Sequence, residues 1–340
     1  MEHHIGKIAV CGKLFGMILT YLFLSCDPAR AQVQSRAPDQ PPTPLYLDPL
    51  WIYPTPEEME NLESQRGGGP SFEEQVLMLI NEERWTNGQL PPLKLVAQLN
   101  NAAEGHATAM ATRNFFAHCD LDTNSQPGTR ITAAGYAWNS IGENIAAGQS
   151  TPQQVVDGWM ASSGHRANIL STTFWEVGHG YFLDSGDSAN IRVETTGDCL
   201  ADLFNQGPFF RYWVQNFGRR NGDYPMVINR EAYETEDPTV DLYLYGQGFA
   251  NEMRIRNEND AWTPWQPFAA NTSWNLSPGN GIKEVQVEIR NGANVETASD
   301  TIILNALCTG QTQFMELFED WWVNGIDVVD LTNTLANLCP

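Results

Sequence analysis

The chain has 340 residues and carries 41 acidic against 19 basic side chains, a formal net charge of −22. Such an acidic surface repels the phosphates of nucleic acids and anionic membranes, so we expect no nucleic-acid partner. The length accommodates two domains, each with its own hydrophobic core.

The first segment has the pattern of a secretory signal peptide. Two lysines precede an apolar run at 14–25, which is too short to span a bilayer as a mature helix. Ala29 and Ala31 then supply the small residues of a cleavage site, which predicts a signal peptide at 1–31. The alternative is a lipoprotein anchored at Cys26. No later segment has the pattern of a transmembrane helix, so the chain is predicted to be secreted or anchored outside the cell.

Cysteine usage agrees with export. Cleavage leaves Cys119, Cys199, Cys308 and Cys339, and an even count in an exported chain favours two disulfides. Three pairings are possible, and the domain boundaries favour Cys119–Cys199 with Cys308–Cys339. Because Cys119 follows His118, a Cys/His nucleophile is the alternative for that cysteine.

Residues 32–70 are rich in Pro, Gln and Gly and are predicted to form an extended linker. Ordered structure is predicted to start at Ser71-Phe72-Glu73-Glu74, a capping box in which Ser71 and Glu74 satisfy each other's backbone donors. Apolar residues at helical spacing then predict an amphipathic helix. A second helix is predicted from about 95 to 114, with His106 on its apolar face as a core histidine. A loop region is predicted to follow it, up to Thr151, with turn signals at Pro127-Gly128 and Gly135-Tyr136.

The rest of the first domain combines one more helix with strands. Thr151-Pro152 predicts the start of a third helix, which continues to about residue 161. Strands are predicted at 176–183, 189–194 and 210–217, with a hairpin turn at 184–187 joining the first two. His179 is placed at a strand edge or cleft rim. Helices followed by antiparallel strands indicate an α+β or three-layer sandwich domain at 71–218.

From 219 to 305 the pattern changes to short strands that alternate apolar and polar residues. Turn residues separate these strands, which predicts a small all-β sandwich. The tail, 306–340, is predicted to be a short helical pair closed by Cys308–Cys339.

Six segments of the first domain together carry a family resemblance. They are INEERWTNGQLPPLKL at 80–95, HATAMATRNFFAH at 106–118, IGENIAAG at 141–148, GWMASSGHRANIL at 158–170, VGHGYF at 177–182 and YWVQNFG at 212–218. In this order and spacing they make residues 71–218 similar to the CAP superfamily. This is the SCP-like group of cysteine-rich secretory, antigen 5 and pathogenesis-related proteins, here of bacterial type.

The resemblance implies an α-β-α sandwich with a cleft lined by two histidines and two glutamates. His118, Glu143 and His165 match three of these positions, whereas the second glutamate falls on Ser162. Two imidazoles and a carboxylate can hold a divalent metal such as zinc, with His118 and His165 as ligands. The missing carboxylate predicts weaker metal binding than in a member with all four groups. The alternative is that both histidines are hydrogen-bonded elements of the fold around a polar cleft.

Three functions are compatible with this domain. The favoured hypothesis is a secreted binding protein whose cleft takes an extracellular ligand, since the ligands of the family include lipids, sterols and protein surfaces. A glycan is a further candidate. The second is a metal-dependent or serine hydrolase acting at His118, Glu143 and His165, although the chain has no GxSxG and no HExxH motif. The third is a structural or adhesive surface protein.

The later segments carry weaker resemblances. Residues 253–304 resemble bacterial Ig-like or fibronectin-III-like modules, which commonly serve as spacers or adhesive modules. Among Trp262, Trp265 and Trp274, at least two are predicted to pack in the core, the alternative being a carbohydrate platform. Residues 320–338 resemble half of a dockerin, but Trp322 occupies a ligand position of its calcium loop, so no calcium binding is expected there.

Overall fold

The structure is a computed structural model, and residues 69–306 are described here. All of them belong to one compact unit. The predicted signal peptide, most of the linker and the predicted helical tail with its Cys308–Cys339 disulfide lie outside the described residues. The helices and strands are α1 Phe72–Thr86, β1 Lys94–Leu95, α2 Ala97–Thr112, β2 Phe115–Phe116, α3 Pro127–Ala133, β3 Ser140–Ala147, α4 Pro152–Ala161, α5 Ser163–Ile169, β4 Glu176–Leu183, β5 Ile191–Val193, β6 Leu203–Gln206, β7 Arg211–Arg219, β8 Met226–Ile228, β9 Glu234–Thr235, β10 Thr239–Leu244, β11 Glu252–Asn257, β12 Gln266–Pro267, β13 Asn271–Asn275, β14 Gly281–Asn291 and β15 Asn294–Leu304.

Two helices begin where their capping signals predict. Ser71 Oγ accepts a hydrogen bond from Glu74 N at 3.2 Å, and Glu74 Oε2 accepts one from Ser71 N at 2.7 Å. Thr151 Oγ1 likewise caps α4 by accepting from Gln154 N at 3.2 Å. Each cap satisfies backbone donors that have no partner within the first turn of the helix. The predicted starts of α1 and α4 are confirmed.

One four-stranded sheet, in the order β1-β4-β7-β3, lies between two layers of helices. The β1–β4 pair is parallel, and the other two pairs are antiparallel. Alternate residues of β7 point to opposite faces, so Trp213 and Phe217 share a core with α1 and α4. Tyr212 and Val214 share another core with α2. The predicted mixture of helices and strands in this domain is confirmed.

Helix α2 lies directly against β4 because two glycines of that strand have no side chain. A Cβ on Gly178 would lie 2.2 Å from the backbone N of Asn100. A Cβ on Gly180 would lie 2.3 Å from the backbone carbon of Ala103. This close approach fixes α2, and with it the loop that carries His118, relative to the sheet.

The predicted hairpin between 176–183 and 189–194 is wrong. β5 pairs with β2 and β6 in a separate sheet, whereas β4 pairs with β1 and β7. The turn is instead fixed to the segment before β7, because Asp187 Oδ2 accepts from the backbone N–H groups of Phe209 and Phe210, each at 2.8 Å. The same oxygen accepts from the Tyr212 hydroxyl at 2.9 Å. The acidic turn is thus a structural anchor.

Residues 226–304 form strands in two sheets that share one hydrophobic core. The sheet orders are β13-β10-β8 and β12-β11-β14-β15-β9. Trp274 packs against this core, whereas the rings of Trp262 and Trp265 lie 4.9 Å and 4.7 Å from the Arg254 guanidinium carbon. The prediction that at least two of the three tryptophans pack in the core is therefore wrong, since two of them stack on arginine side chains.

The strands after 219 are joined to the first domain by buried polar contacts. Tyr245 Oη donates to Pro92 O at 3.0 Å, and Asn81 Nδ2 donates to Arg230 O at 3.0 Å. Lys94 Nζ lies 2.8 Å from Glu231 Oε1 and also pairs with Asp300. Within 69–306, no helix combines the length and the apolar character needed to cross a membrane.

Candidate functional site

His118 and Glu143 form a hydrogen-bonded pair at the edge of the central sheet. His118 follows β2, and its Nδ1 lies 2.9 Å from Glu143 Oε1 on β3. The side chain of Glu143 is 3% exposed, whereas that of His118 is 49% exposed. The buried carboxylate thus fixes the orientation of an exposed imidazole, and Nε2 has no partner among the described residues.

Arg130 completes this arrangement. Its Nη2 donates to Glu143 Oε2 at 2.7 Å and to His118 O at 2.9 Å, while Nη1 donates to Ser125 O at 2.7 Å. The guanidinium therefore holds both members of the pair. Arg130 was not predicted as a site residue, because 127–133 was assigned to a loop region and no local pattern indicates that this side chain contacts β3.

The environment keeps Glu143 ionised. Burial alone would raise the pKa of this carboxyl. The hydrogen bond from His118 and the charge of Arg130 outweigh burial, so its pKa lies below the ordinary value. With the Asn216 amide oriented so that both of its ends find partners, Asn216 also donates to Glu143 Oε2 at 3.1 Å.

His165 lies at the start of α5 and is half-buried. Burial and the nearby His118 both lower its pKa, so its imidazole is neutral at pH 7. Asn144 Nδ2 donates to His165 O at 3.2 Å, and Asn168 Nδ2 donates to Asn144 Oδ1 at 2.9 Å. These amides hold the backbone of α5 against β3. The imidazole itself makes no hydrogen bond to the part of the chain that the structure describes.

Ser162, at the position of the missing glutamate, is the junction of α4 and α5. Its backbone N–H donates to Trp159 O at 3.1 Å, and its side chain makes no capping hydrogen bond. Within residues 69–306, neither Ser162 nor Ser163 hydrogen-bonds to His165, so the pair that a serine hydrolase requires is not assembled.

The two other histidines of the domain are buried parts of the core. His106 Nε2 lies 2.9 Å from Ala117 O, and burial lowers the pKa of His106 to about 4. This confirms the core position predicted for His106. His179 was expected at a strand edge or cleft rim, which is wrong. It is 2% exposed and pairs with Gln215, and burial lowers its pKa to about 3.

The donor set at this site does not fit a resident transition metal. Both oxygens of Glu143 are engaged, and the guanidinium of Arg130 beside them repels a cation. The nitrogens of His118 and His165 remain as ligands, since Ser162 offers a neutral hydroxyl. Structural and catalytic zinc sites use three or four protein ligands. In 69–306 the one close group of three metal-ligand types is Cys119, Glu194 and Cys199.

Two of those three groups are already used. Cys119 and Cys199 form a disulfide, with their Cα atoms 5.7 Å apart. The structure thus confirms the predicted Cys119–Cys199 disulfide. The Cys119/His118 nucleophile is not formed, because the sulfur is bonded to Cys199.

Comparison with known proteins locates the family signal in this domain. Residues 77–217 match the family model described as the cysteine-rich secretory protein family, CAP. Uncharacterized protein YkwD of Bacillus subtilis (strain 168) is 36% identical over 132 residues, which are 39% of this chain and 50% of YkwD. Uncharacterized membrane protein YlbC of the same strain is 31% identical over 108 residues, which are 32% of this chain and 31% of YlbC.

Among solved structures, an extracellular protein containing a SCP domain from Bacillus anthracis str. Ames is 27% identical to this chain. The TM-score is 0.35, with 49% of this chain and 44% of that chain covered. The chain thus spans half or less of the length of each of these three relatives.

Proposed function

We propose that this chain, whose residues 77–217 form a CAP domain of bacterial type, is an exported binding protein. Its cleft would take an extracellular ligand at His118 and His165. The observation that carries the proposal is the half-exposed His118 imidazole, which the buried Glu143 carboxylate holds in one orientation. Such a ring offers a fixed hydrogen-bonding group to a ligand at little entropic cost.

Binding accounts for the residues better than hydrolysis does. A serine hydrolase needs a base within hydrogen-bond reach of its nucleophile, and the described residues hold no such contact at His165. A metal-activated water needs a firmly held metal ion, and two imidazoles beside the positive charge of Arg130 do not hold one firmly. The ionised Glu143 is engaged on both oxygens, so it acts as a positioning group.

Export is part of the same proposal. The apolar run at 14–25 and the small residues Ala29 and Ala31 support cleavage after residue 31, with a lipid anchor at Cys26 as the alternative. The Cys119–Cys199 disulfide supports an oxidising compartment. The two sheets of 226–304, with their common core, support the interpretation of this region as an Ig-like or fibronectin-III-like spacer module.

The test uses calorimetric titration of the exported chain with fatty acids, sterols and short peptides. We expect binding by at least one class, weakened tenfold or more by His118→Ala and by His165→Ala. The exposed neighbour Ser163→Ala serves as the matched control. Binding that survives both histidine substitutions would contradict the proposed cleft. Turnover of a peptide or ester panel that is abolished by His165→Ala would favour the hydrolase.

A further inference from the structure

A groove of about 850 Å³ lies where the first domain meets the strands that follow it. The end of α1 and the loop after it line one side, and β8, β10 and β13 line the other. We call it the junction groove, and define it by Trp85, Gln89, Arg230, Asp241, Tyr243 and Asn271. This volume falls in the range of small-molecule sites, about 300–1,000 Å³, which occur preferentially between domains. None of His118, Glu143, Ser162 and His165 lines it.

An exposed aromatic ring is held at this groove from one side. The guanidinium carbon of Arg230 lies 4.8 Å from the centroid of Trp85, while Trp85 remains 42% exposed. Stacking of this kind orders an indole that would otherwise rotate freely at the end of a helix. Tyr243 adds a second, half-buried ring, which packs edge-on against Tyr245 at 4.9 Å.

The backbone beneath the groove is held in a costly conformation. Asn229, Arg230 and Glu231 follow one another with φ of 43°, 58° and 65°. A non-glycine residue in the left-handed region is strained and persists only where its surroundings enforce it. Here Asn229 Oδ1 accepts from Asp241 N at 2.8 Å, and Glu231 pairs with Lys94. The turn places Arg230 on Trp85 before any ligand arrives.

Polar groups of the groove are left without partners. The side chains of Gln89, Asp241 and Asn271 and the hydroxyl of Tyr243 make no hydrogen bond to any described residue. An amide both donates and accepts, and a carboxylate accepts through two oxygens. Groups of this kind can bond to neighbouring hydroxyls of a pyranose ring. The C–H groups on one face of that ring are weakly positive, so they can stack on the negative face of an indole.

The charges of the groove favour a neutral ligand. Arg230 and Asp241 are its one cation and one anion among the described lining residues. Arg230 also forms an ion pair with Glu82, whose Oε2 lies 3.5 Å from Arg230 Nη2. The chain as a whole carries −22, so a polyanionic glycan would be repelled. We propose that the junction groove binds a neutral oligosaccharide, with Trp85 as the stacking platform and Asp241 and Asn271 bonding to sugar hydroxyls.

The test is isothermal titration of the full chain with neutral tri- to hexasaccharides of glucose, mannose and N-acetylglucosamine. We expect at least one series to bind, and Trp85→Ala to weaken it tenfold or more. Asp241→Asn should weaken it about threefold, because a carboxylate is the stronger acceptor. The matched control is Trp262→Ala, a partly exposed tryptophan that also stacks on arginine, with Arg256 at 4.4 Å, but lies outside the groove. Its affinity should equal that of the wild type, and circular dichroism should show that all variants are folded.

Several outcomes would overturn the proposal. The first is that no sugar binds at millimolar concentration. The second is that Trp85→Ala and Trp262→Ala lower the sugar affinity equally. Loss of sugar binding in His118→Ala with none in Trp85→Ala would place the sugar in the CAP cleft. Binding of a proline-rich peptide through Trp85, with no sugar binding, would assign the groove to peptides.

Discussion

Arg130 Nη2 donates to Glu143 Oε2 at 2.7 Å, and His118 Nδ1 lies 2.9 Å from Oε1 of the same carboxylate. One buried negative charge is thus divided between a permanent cation and an imidazole. In a metal site the ion would supply the positive charge, but here a guanidinium does so. Glu143 therefore has a structural partner whether or not a ligand occupies the cleft.

Arg130→Met should lower the free energy of unfolding by about 3 kcal/mol at pH 7, because it leaves a buried carboxylate without its cation. The pKa of Glu143 is lowered in the wild type, so the pair stabilises the fold above the unfolded value of 4.5. That stabilisation is lost as the pH falls through the lowered pKa. The deficit of the variant should accordingly shrink in acid, where its carboxylate is protonated. Urea denaturation at several pH values measures both effects.

The exposed Arg166→Met, on α5, is the matched control and should change stability by less than about 0.5 kcal/mol. Adding Glu143→Gln to Arg130→Met should recover part of the loss, since no charge is then left buried. A loss below about 1 kcal/mol for Arg130→Met would contradict this role.

Zinc should bind weakly to the wild type, because the predicted site offers it two imidazoles, those of His118 and His165, as protein ligands. Ser162→Glu places a carboxylate at the position where the CAP resemblance predicts a second glutamate, and it should tighten zinc binding tenfold or more. Isothermal titration with zinc measures both chains, and Ser163→Glu, one residue further on, is the control. Nanomolar zinc binding by the wild type, lost when His118→Ala and His165→Ala are combined, would contradict the conclusion that these donors do not fit a resident metal.

The contact of Glu231 with β1 should respond to pH. Burial, reinforced by the neighbouring Asp300 carboxylate, raises the pKa of Glu231 from 4.5 to about 7. The folded state then binds the proton more tightly than the unfolded state, so the contribution of Glu231 falls as the pH rises from about 4.5 to 7. A shift of this size corresponds to a change on the order of 3 kcal/mol.

Glu231→Gln isolates this effect, because its carbonyl can still accept from Leu95 N, as Glu231 Oε1 does at 3.2 Å. The stability of the wild type minus that of the variant should decrease between pH 5 and 7.5 and be constant above it. Urea denaturation measures both stabilities across this pH range. If the stabilities of the wild type and the variant change with pH in parallel, the raised pKa of Glu231 is contradicted.

Two glycines should respond to alanine in opposite directions. Gly178→Ala places a methyl group 2.2 Å from the backbone of α2 and should cost more than about 2 kcal/mol. Gly158→Ala, on the exposed face of α4, meets nothing within 4 Å and should stabilise the protein by up to about 1 kcal/mol. Thermal unfolding measures both. Similar midpoints for the two variants would contradict the packing of α2 on β4.

Features that depend on residues close together in the sequence were predicted well. The caps at Ser71 and Thr151 are confirmed, and β4 has the predicted bounds of 176–183. The spacing of the family motifs placed His118 and Glu143 at one cleft, and the two side chains are in contact. Their role in binding stays a prediction.

Other features were missed because burial on both sides removes the pattern that identifies a strand. β3 has four consecutive buried residues, 143–146, so it lacks the alternation of a half-exposed strand and was assigned to a loop region. His179 was misplaced for a related reason, since β4 is covered on both faces.

The sequence by itself thus determined where helices begin, which segments are apolar and which residues match the family motifs. These signals depend on residues a few positions apart. Only the tertiary structure decided that Arg130 neutralises Glu143, that Asp187 holds the segment before β7, and that Trp85 meets Arg230 across a groove. Each of these contacts joins residues from 13 to 145 positions apart, and it forms only after packing has chosen which surfaces meet.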